Sequence, residues 1–280
     1  MLRIDVRGGA PVSSRRVIVP AISRGVARGG EAGNAAVALV SALKLLAVAI
    51  HTVLIAPVVV AVALVDQRAA YRICQLWARL NLLIYAVRVR TTRLAPLDPS
   101  AAYVFVSNHR SQFDILAVIT ALLDFQLRWV AKVELTRVPV FGWALKHTGH
   151  VIIDRSNHLQ AIASLRAARA KMEQGVSVMI FPEGTRGTLE GPLLPFKKGG
   201  FMLALETGFP VVPIAVRGSA ELLPRGSWQP ASGEIEVVVG APIAVAGMDR
   251  DELIERVRAF MEARLDGRAG TAGRSAAAAR

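Results

Sequence analysis

Residues 35–65 carry one charge, Lys44, and 45–65 form a 21-residue uncharged run. That length and composition predict a helix able to cross a bilayer. Pro57 falls inside the run and is expected to break it. Arg24 and Arg28 precede the run, and Arg68, Arg72 and Arg79 follow it. Both flanks therefore favour the cytoplasmic side, which a hairpin or an in-plane insertion would satisfy. A buried helix of a soluble protein is the alternative. Over 68–86, Arg68, Arg72, Gln75 and Arg79 share one helical stripe, while Ile73, Leu76, Trp77, Leu80 and Leu83 occupy the rest. A basic amphipathic helix with tryptophan is a membrane-surface pattern, though a helix packed on a core can read the same way.

Beyond residue 86 the pattern alternates. Strand-like runs fall at 87–91, 103–107, 128–132, 150–154, 176–181, 211–216 and 234–240. Helix-like runs fall at 111–123, 138–147, 159–173, 198–207 and 251–265. Alternation of this kind predicts an α/β domain with a mixed, mainly parallel sheet flanked by helices. Four segments result: a basic N-terminal stretch (1–34), N-terminal membrane-associated helices (35–86), the α/β domain (87–265), and an Ala/Gly/Arg-rich tail (266–280) expected to be disordered. The first apolar run begins too late for a signal peptide.

Composition sharpens this picture. Hydrophobic residues make up 53% of the chain. That is above the usual range for a soluble domain and favours membrane contact. The net charge of +13 is spread through the folded part and favours anionic lipid or another polyanion. Aromatic residues are only 6%. With no Arg/Lys-rich recognition motif present either, nucleic acid is not the expected partner. The one cysteine, Cys74, excludes an intrachain disulfide and lies in a predicted helix far from any other candidate group.

Candidate chemistry centres on 108–114, Asn-His-Arg-Ser-Gln-Phe-Asp, and on Glu183-Gly184-Thr185-Arg186. A histidine can take a proton, and a carboxylate on its other ring nitrogen fixes the tautomer and stabilises the imidazolium. Five helical residues rotate the chain by about 500°, so His109 and Asp114 meet only if His109 lies in a loop and Asp114 in the following helix. The strand-like 103–107 and helix-like 115–123 allow that. Ser111-x-x-Asp114 also fits a capping box, so Asp114 has a structural reading beside the chemical one. Arg186 beside a turn glycine is a setting that suits phosphate.

These motifs resemble the glycerolipid acyltransferases, especially the 1-acyl-sn-glycerol-3-phosphate (lysophosphatidate) acyltransferases. His-x-x-x-x-Asp ending a strand, then Phe-Pro-Glu-Gly-Thr-Arg at 181–186, carries the likeness. Further blocks follow the same order: 132–142, with Lys132, Pro139 and Gly142; 149–155, ending in Asp154-Arg155; and 209–216, Phe-Pro-Val-Val-Pro-Ile-Ala-Val. The resemblance implies that His109 is the general base and Asp114 its orienting carboxylate. It implies that Arg155, Glu183, Gly184, Thr185 and Arg186 bind the acceptor. It further implies acyl transfer from acyl-CoA or acyl-carrier protein to lysophosphatidate, with no cofactor beyond the thioester co-substrate, at a bacterial-type inner membrane with a cytoplasmic active site. Other lyso-lipids, such as lyso-ornithine lipid, and a non-catalytic lipid-binding role are the alternatives.

Competing constellations are weaker. His147-x-x-His150 with Asp154 lacks a third His or Cys at metal-binding spacing. Ser107, His109 and Asp114 could suggest a hydrolase, but no Gly-x-Ser-x-Gly elbow exists. Lys197-Lys198-Gly199-Gly200 reads equally as a phosphate-binding helix start or a solvated loop.

Overall fold

A computed structural model describes residues 31–137, 141–153, 158–189 and 191–265. Most of the basic N-terminal stretch, the tail 266–280 and the candidate Arg155 lie outside the described residues. The chain divides into two compact units, Met1–Val37 and Ala38–Arg280. Of the first, only 31–37 is described, and it is helical.

Helix α1 (Glu31–Ala63) runs unbroken through Pro57. The expected break, and a hairpin folded at it, do not occur. A proline costs a helix one hydrogen bond and crowds the preceding turn. Here strongly apolar, uncharged turns continue on both sides of it. Segment Ala35–Ala63 is long and apolar enough to cross a membrane. Leu39, Leu43, Leu46, Ile50, Val53 and Val58, spaced by three to five, are all exposed. The one charge in the segment is tied to the end of α2 and to the α/β domain: Lys44 Nζ donates to Tyr85 O at 3.3 Å and Ser232 Oγ at 3.0 Å.

Helix α2 (Gln67–Tyr85) starts at Asp66. The Asp66 carboxylate accepts from the N–H groups of Arg68 at 2.7 Å and Ala69 at 3.1 Å, which satisfies two of the donors a helix start leaves open. The helix folds back along α1, with Trp77 Nε1 donating to Thr52 Oγ1 at 3.0 Å. Arg68, Arg72 and Arg79 of the polar stripe are exposed, but Gln75 is buried. Its Nε2 donates to Leu123 O and Phe125 O.

Seven strands form one sheet: β1 (Val87–Arg93), β2 (Val104–Ser107), β3 (Gln126–Lys132), β4 (Val151–Ile153), β5 (Val176–Ile180), β6 (Val211–Arg217) and β7 (Gly233–Val239). Their order is β1-β7-β6-β2-β5-β3-β4. Every neighbouring pair is parallel except β6 and β7. β2 and β5 are buried at every position because helices cover both faces. Their side chains divide by parity. Phe105 and Met179 join the core under α2 and α3 (Phe113–Ala121), while Val104, Val106, Val178 and Ile180 face the opposite core. That second core is closed by α5 (His158–Met172), α6 (Gly199–Thr207) and α8 (Arg250–Leu265).

Two further elements differ from expectation. The helix expected at 138–147 is a 3-10 turn, Val133–Arg137, followed by α4 (Phe141–His147), with 138–140 outside the described residues. The four-residue α7 (Ser219–Leu222) is too short to leave a periodic signal.

His150 closes the β3–β4 edge. Its Nδ1 accepts the Trp129 N–H at 3.1 Å, one residue before the β4 ladder begins. Burial, with the nearby charges of Arg128 and Lys171, pushes its pKa down to about 3, because each disfavours the charged ring. The stability contributed by this neutral ring is fully present above about pH 6.5, the ordinary value, and is lost as pH falls toward about 3. Wild type should thus lose up to about 1.4 kcal/mol per pH unit below that point from this group. His150→Gln, which keeps an acceptor, should remove that component. Urea midpoints of the two proteins at pH 7, 6 and 5 measure the difference.

Candidate active site

The two motifs, distant in sequence, leave neighbouring strands. β2 pairs in parallel with β5, Val106 opposite Ile180, so the loops after them emerge side by side at the carboxyl edge of the sheet. Asp114 is the second residue of α3 and His109 lies in the loop before it. His109 Nδ1 and Asp114 Oδ2 are 2.9 Å apart. The carboxylate is wholly buried and the imidazole is 14% exposed. The same Oδ2 accepts the backbone N–H groups of Arg110 at 2.6 Å and Ser111 at 2.8 Å. Asp114 therefore caps the loop and orients the histidine with one atom. α3 runs from Phe113, after Gln112, which makes no side-chain cap bond; the capping bonds are made instead by Ser111 and Asp114. Ser111 Oγ accepts from Phe113 N and donates to Leu223 O.

The imidazole face is stacked on Phe181, with centroids 4.0 Å apart and planes 10° from parallel. Trp129 lies against the same phenyl ring at 5.4 Å. No described residue hydrogen-bonds His109 Nε2. A ring held at Nδ1 and on one face, with Nε2 open, is arranged to take a proton from a bound molecule. Ser107 takes no part: it is wholly buried, and its Oγ donates to Asn108 O. Cys74 is half-buried on α2, and burial pushes its thiol up to about 11, the reverse of an activated nucleophile.

The second loop is tied to the first. Glu183 Oε1 accepts the His109 N–H at 2.8 Å, and Oε2 accepts the Leu194 N–H at 3.0 Å. Gly187 N–H returns to His109 O at 2.8 Å. Burial raises the Glu183 pKa, against the two backbone N–H groups and the Arg110 and His109 charges, which lower it, as desolvation opposing local donors must. Both its oxygens accept from backbone N–H groups, so Glu183 builds the loop under His109. Gly184 sits at φ +68, and the Lys197 stem lies 3.4 Å from where its Cβ would be; an L side chain is strained in that backbone region. Thr185 is exposed. Arg186 is half-buried; its carbonyl accepts from Arg225 Nη1 at 2.9 Å, and its guanidinium makes no hydrogen bond or ion pair to a described residue. Lys197 and Lys198 are exposed at the start of α6, and the Lys197 N–H donates to Pro182 O at 2.7 Å. That stretch thus borders the site. Among the described residues no three His, Cys, Asp or Glu side chains cluster as metal ligands.

Comparison with known proteins bears on this geometry. Residues 87–217 match the family model described as Acyltransferase. Over 196 residues the chain is 34% identical to the human 1-acyl-sn-glycerol-3-phosphate acyltransferase alpha, covering 67% of this chain and 69% of that protein. The chain belongs to the acyltransferase family. A Pseudomonas aeruginosa 1-acyl-sn-glycerol-3-phosphate acyltransferase is 33% identical, covering 64% of this chain and 70% of its own length. The chloroplastic Brassica napus relative is 33% identical over 66% of this chain, and the chain spans only about half (53%) of that protein. The crystal structure of the Thermotoga maritima 1-acyl-sn-glycerophosphate acyltransferase shares the fold, with a TM-score of 0.68 and 23% identity over 85% of this chain and 98% of that one.

One residue of this acyltransferase site escaped the sequence reading. Asn108, adjoining His109, is wholly buried. Its Oδ1 accepts the Val216 N–H at 2.8 Å and its Nδ2 donates to Val216 O at 2.9 Å. The side-chain amide so extends the β2–β6 ladder past Ser107. An asparagine directly before the histidine was the only sequence signal, and its partner belongs to a strand far along the chain. Asn108→Ala leaves a buried donor and acceptor of Val216 unpaired, which costs about 2–4 kcal/mol. Chemical denaturation should show that loss.

Proposed function

We propose that the chain is a membrane-associated O-acyltransferase. It moves a fatty acyl group from acyl-CoA or acyl-carrier protein to the free hydroxyl of 1-acyl-sn-glycerol-3-phosphate, giving phosphatidic acid for phospholipid biosynthesis. The observation that carries this reading is the His109–Asp114 pair, held at 2.9 Å with Nε2 open beside the Glu183–Arg186 loop. The named relatives supply the acceptor class.

His109 Nε2 removes the hydroxyl proton as the oxygen attacks the thioester carbonyl. Asp114 stabilises the imidazolium that forms. Collapse of the tetrahedral adduct expels the thiolate, which accepts the proton back from His109. No enzyme nucleophile or cofactor enters this sequence. Arg186, unpaired among the described residues, meets the acceptor phosphate, with Arg155 as its partner and Gly184 and Thr185 shaping the turn. Attachment is assigned to 35–86, with the exposed apolar stripe of α1 in lipid. The cationic flank Arg68, Arg72 and Arg79 favours a bacterial-type inner membrane with the active site on the cytoplasmic side.

His109→Ala should abolish transfer with the fold intact. Asp114→Asn keeps an acceptor for the Arg110 and Ser111 N–H groups and loses the charge, so turnover should fall roughly a thousandfold. Its amide nitrogen takes the place of Oδ1, which is buried without a partner, so a modest stability loss should accompany it. Near wild-type turnover in Asp114→Asn would leave capping as the residue's sole role.

Steady-state assay of the purified protein with acyl-CoA against a panel of lyso-lipids tests the acceptor. Lysophosphatidate should be preferred. Arg186→Lys should raise its KM and leave donor KM unchanged, because lysine cannot match the two parallel hydrogen bonds of arginine to phosphate. Preference for an acceptor without phosphate, or a first loss in donor affinity, would sink the phosphate assignment.

A further inference from the structure

A cavity of about 360 Å³ lies at the amino edge of the sheet, opposite the candidate active site. Its walls include Ser100, Gln126 and Gln174, which precede or open β2, β3 and β5, together with Arg68 and Arg72 from the first turns of α2. His109 and Glu183 follow the other ends of β2 and β5. A five-residue strand separates the two edges by roughly 15 Å.

The charges around this cavity do not balance internally. Its lining carboxylate, Asp124, is already held by Arg93 through two contacts of 2.6 Å. Arg68 donates to Gln174 O, and Arg72 makes no hydrogen bond or ion pair to a described residue. Behind them Arg128 is buried with its two Nη groups on the carbonyls of Leu127 and Gln67, and Lys171 Nζ is on Gly149 O. Among the described residues none of these four cations makes an ion pair with a carboxylate; Asp66, at the head of α2, acts on Arg72 and Arg68 only through space while its oxygen accepts from the helix N-terminus. Two polar atoms are also left over: Arg128 Nε and Gln126 Oε1 are buried without partners. Of the four only Arg128 is buried; Arg68 and Arg72, which line the cavity, are exposed and so open to an incoming anion.

We propose that this cavity binds the headgroup of an anionic phospholipid, its phosphate on Arg72 and Arg68. A lipid source is favoured over a soluble one by place in the chain. Arg68 and Arg72 follow closely on the apolar segment Ala35–Ala63, and the linking Leu64 and Val65 are 67% and 91% exposed. The inference rests on the membrane attachment proposed above and is independent of the acyl-transfer chemistry.

Co-sedimentation of the full-length protein tests it, using vesicles of phosphatidylcholine alone and of phosphatidylcholine with phosphatidylglycerol. Arg72→Gln should weaken binding to the phosphatidylglycerol vesicles about fivefold, the share of one arginine near an anionic surface. It should leave binding to neutral vesicles, and acyl transfer in detergent, unchanged. Arg79→Gln, on the same helix but outside the cavity, should lose less than Arg72→Gln. Equal losses in the two variants would reduce the effect to diffuse attraction and overturn the site. Stabilisation by inorganic phosphate that depends on Arg72, with vesicle binding indifferent to Arg72→Gln, would assign a soluble anion and overturn the lipid source. Wild type that binds both vesicles equally removes the headgroup site alone. Wild type that binds neither removes membrane attachment, and this proposal with it.

Discussion

One buried oxygen, Oδ2 of Asp114, answers three donors: the imidazole of His109 and the backbone N–H groups of Arg110 and Ser111. A carboxylate taken out of water is costly unless such donors replace its hydration. Here the compensation comes from the loop that the residue must shape. The turn into α3, the placement of the imidazole and the orientation of its free nitrogen therefore share one cause. The capping and chemical readings of Asp114 are not rivals, since the same atom performs both.

The rest of the site is held by register. Because β2 and β5 are parallel neighbours, the loops after them run alongside each other and exchange backbone bonds. Glu183 reaches the amide of His109, and the amide of Gly187 reaches its carbonyl. Asn108 does the same toward β6 on the other flank. His109 is thus fixed at its own N–H, its carbonyl, its Nδ1 and one ring face. Little rotamer freedom remains to be lost when a substrate arrives, which is the preorganisation such chemistry rewards.

How much of this could be read from the chain depended on the range of the interactions involved. The sheet was legible because buried central strands such as 104–107 and 176–180 are short, mostly apolar, β-branched runs between turn residues. The His109–Asp114 geometry was legible because five-residue spacing forces a loop-to-helix arrangement. Pro57 was misread, since local propensity gave way to the apolar turns around it. The parts played by Asn108 and Glu183 were not legible at all. Each acts on a backbone amide that only the folded register brings near, Val216 in one case and Leu194 in the other. Gln75 read as part of a polar stripe, yet it turns inward to two carbonyls on the loop after α3.

That last contact links the apolar helices to the chemistry. α2 holds both ends of the helix that carries Asp114. Near its start, the ring of Tyr85 lies 5.0 Å from that of Phe113, the residue before Asp114. Beyond its end, Gln75 binds the carbonyls of Leu123 and Phe125. α2 is joined in turn to α1 through Trp77 and Thr52, and Lys44 of α1 binds the carbonyl of Tyr85 itself. Close-packed interiors transmit displacement, so a tilt of α1 and α2 would be felt at both ends of α3. The position of Asp114, and hence of the imidazole it holds, is therefore referenced to the same two helices that present the exposed apolar stripe and the basic turns. With the apolar stripe in lipid, as proposed, this linkage would fix the height of the His109 imidazole relative to the membrane surface.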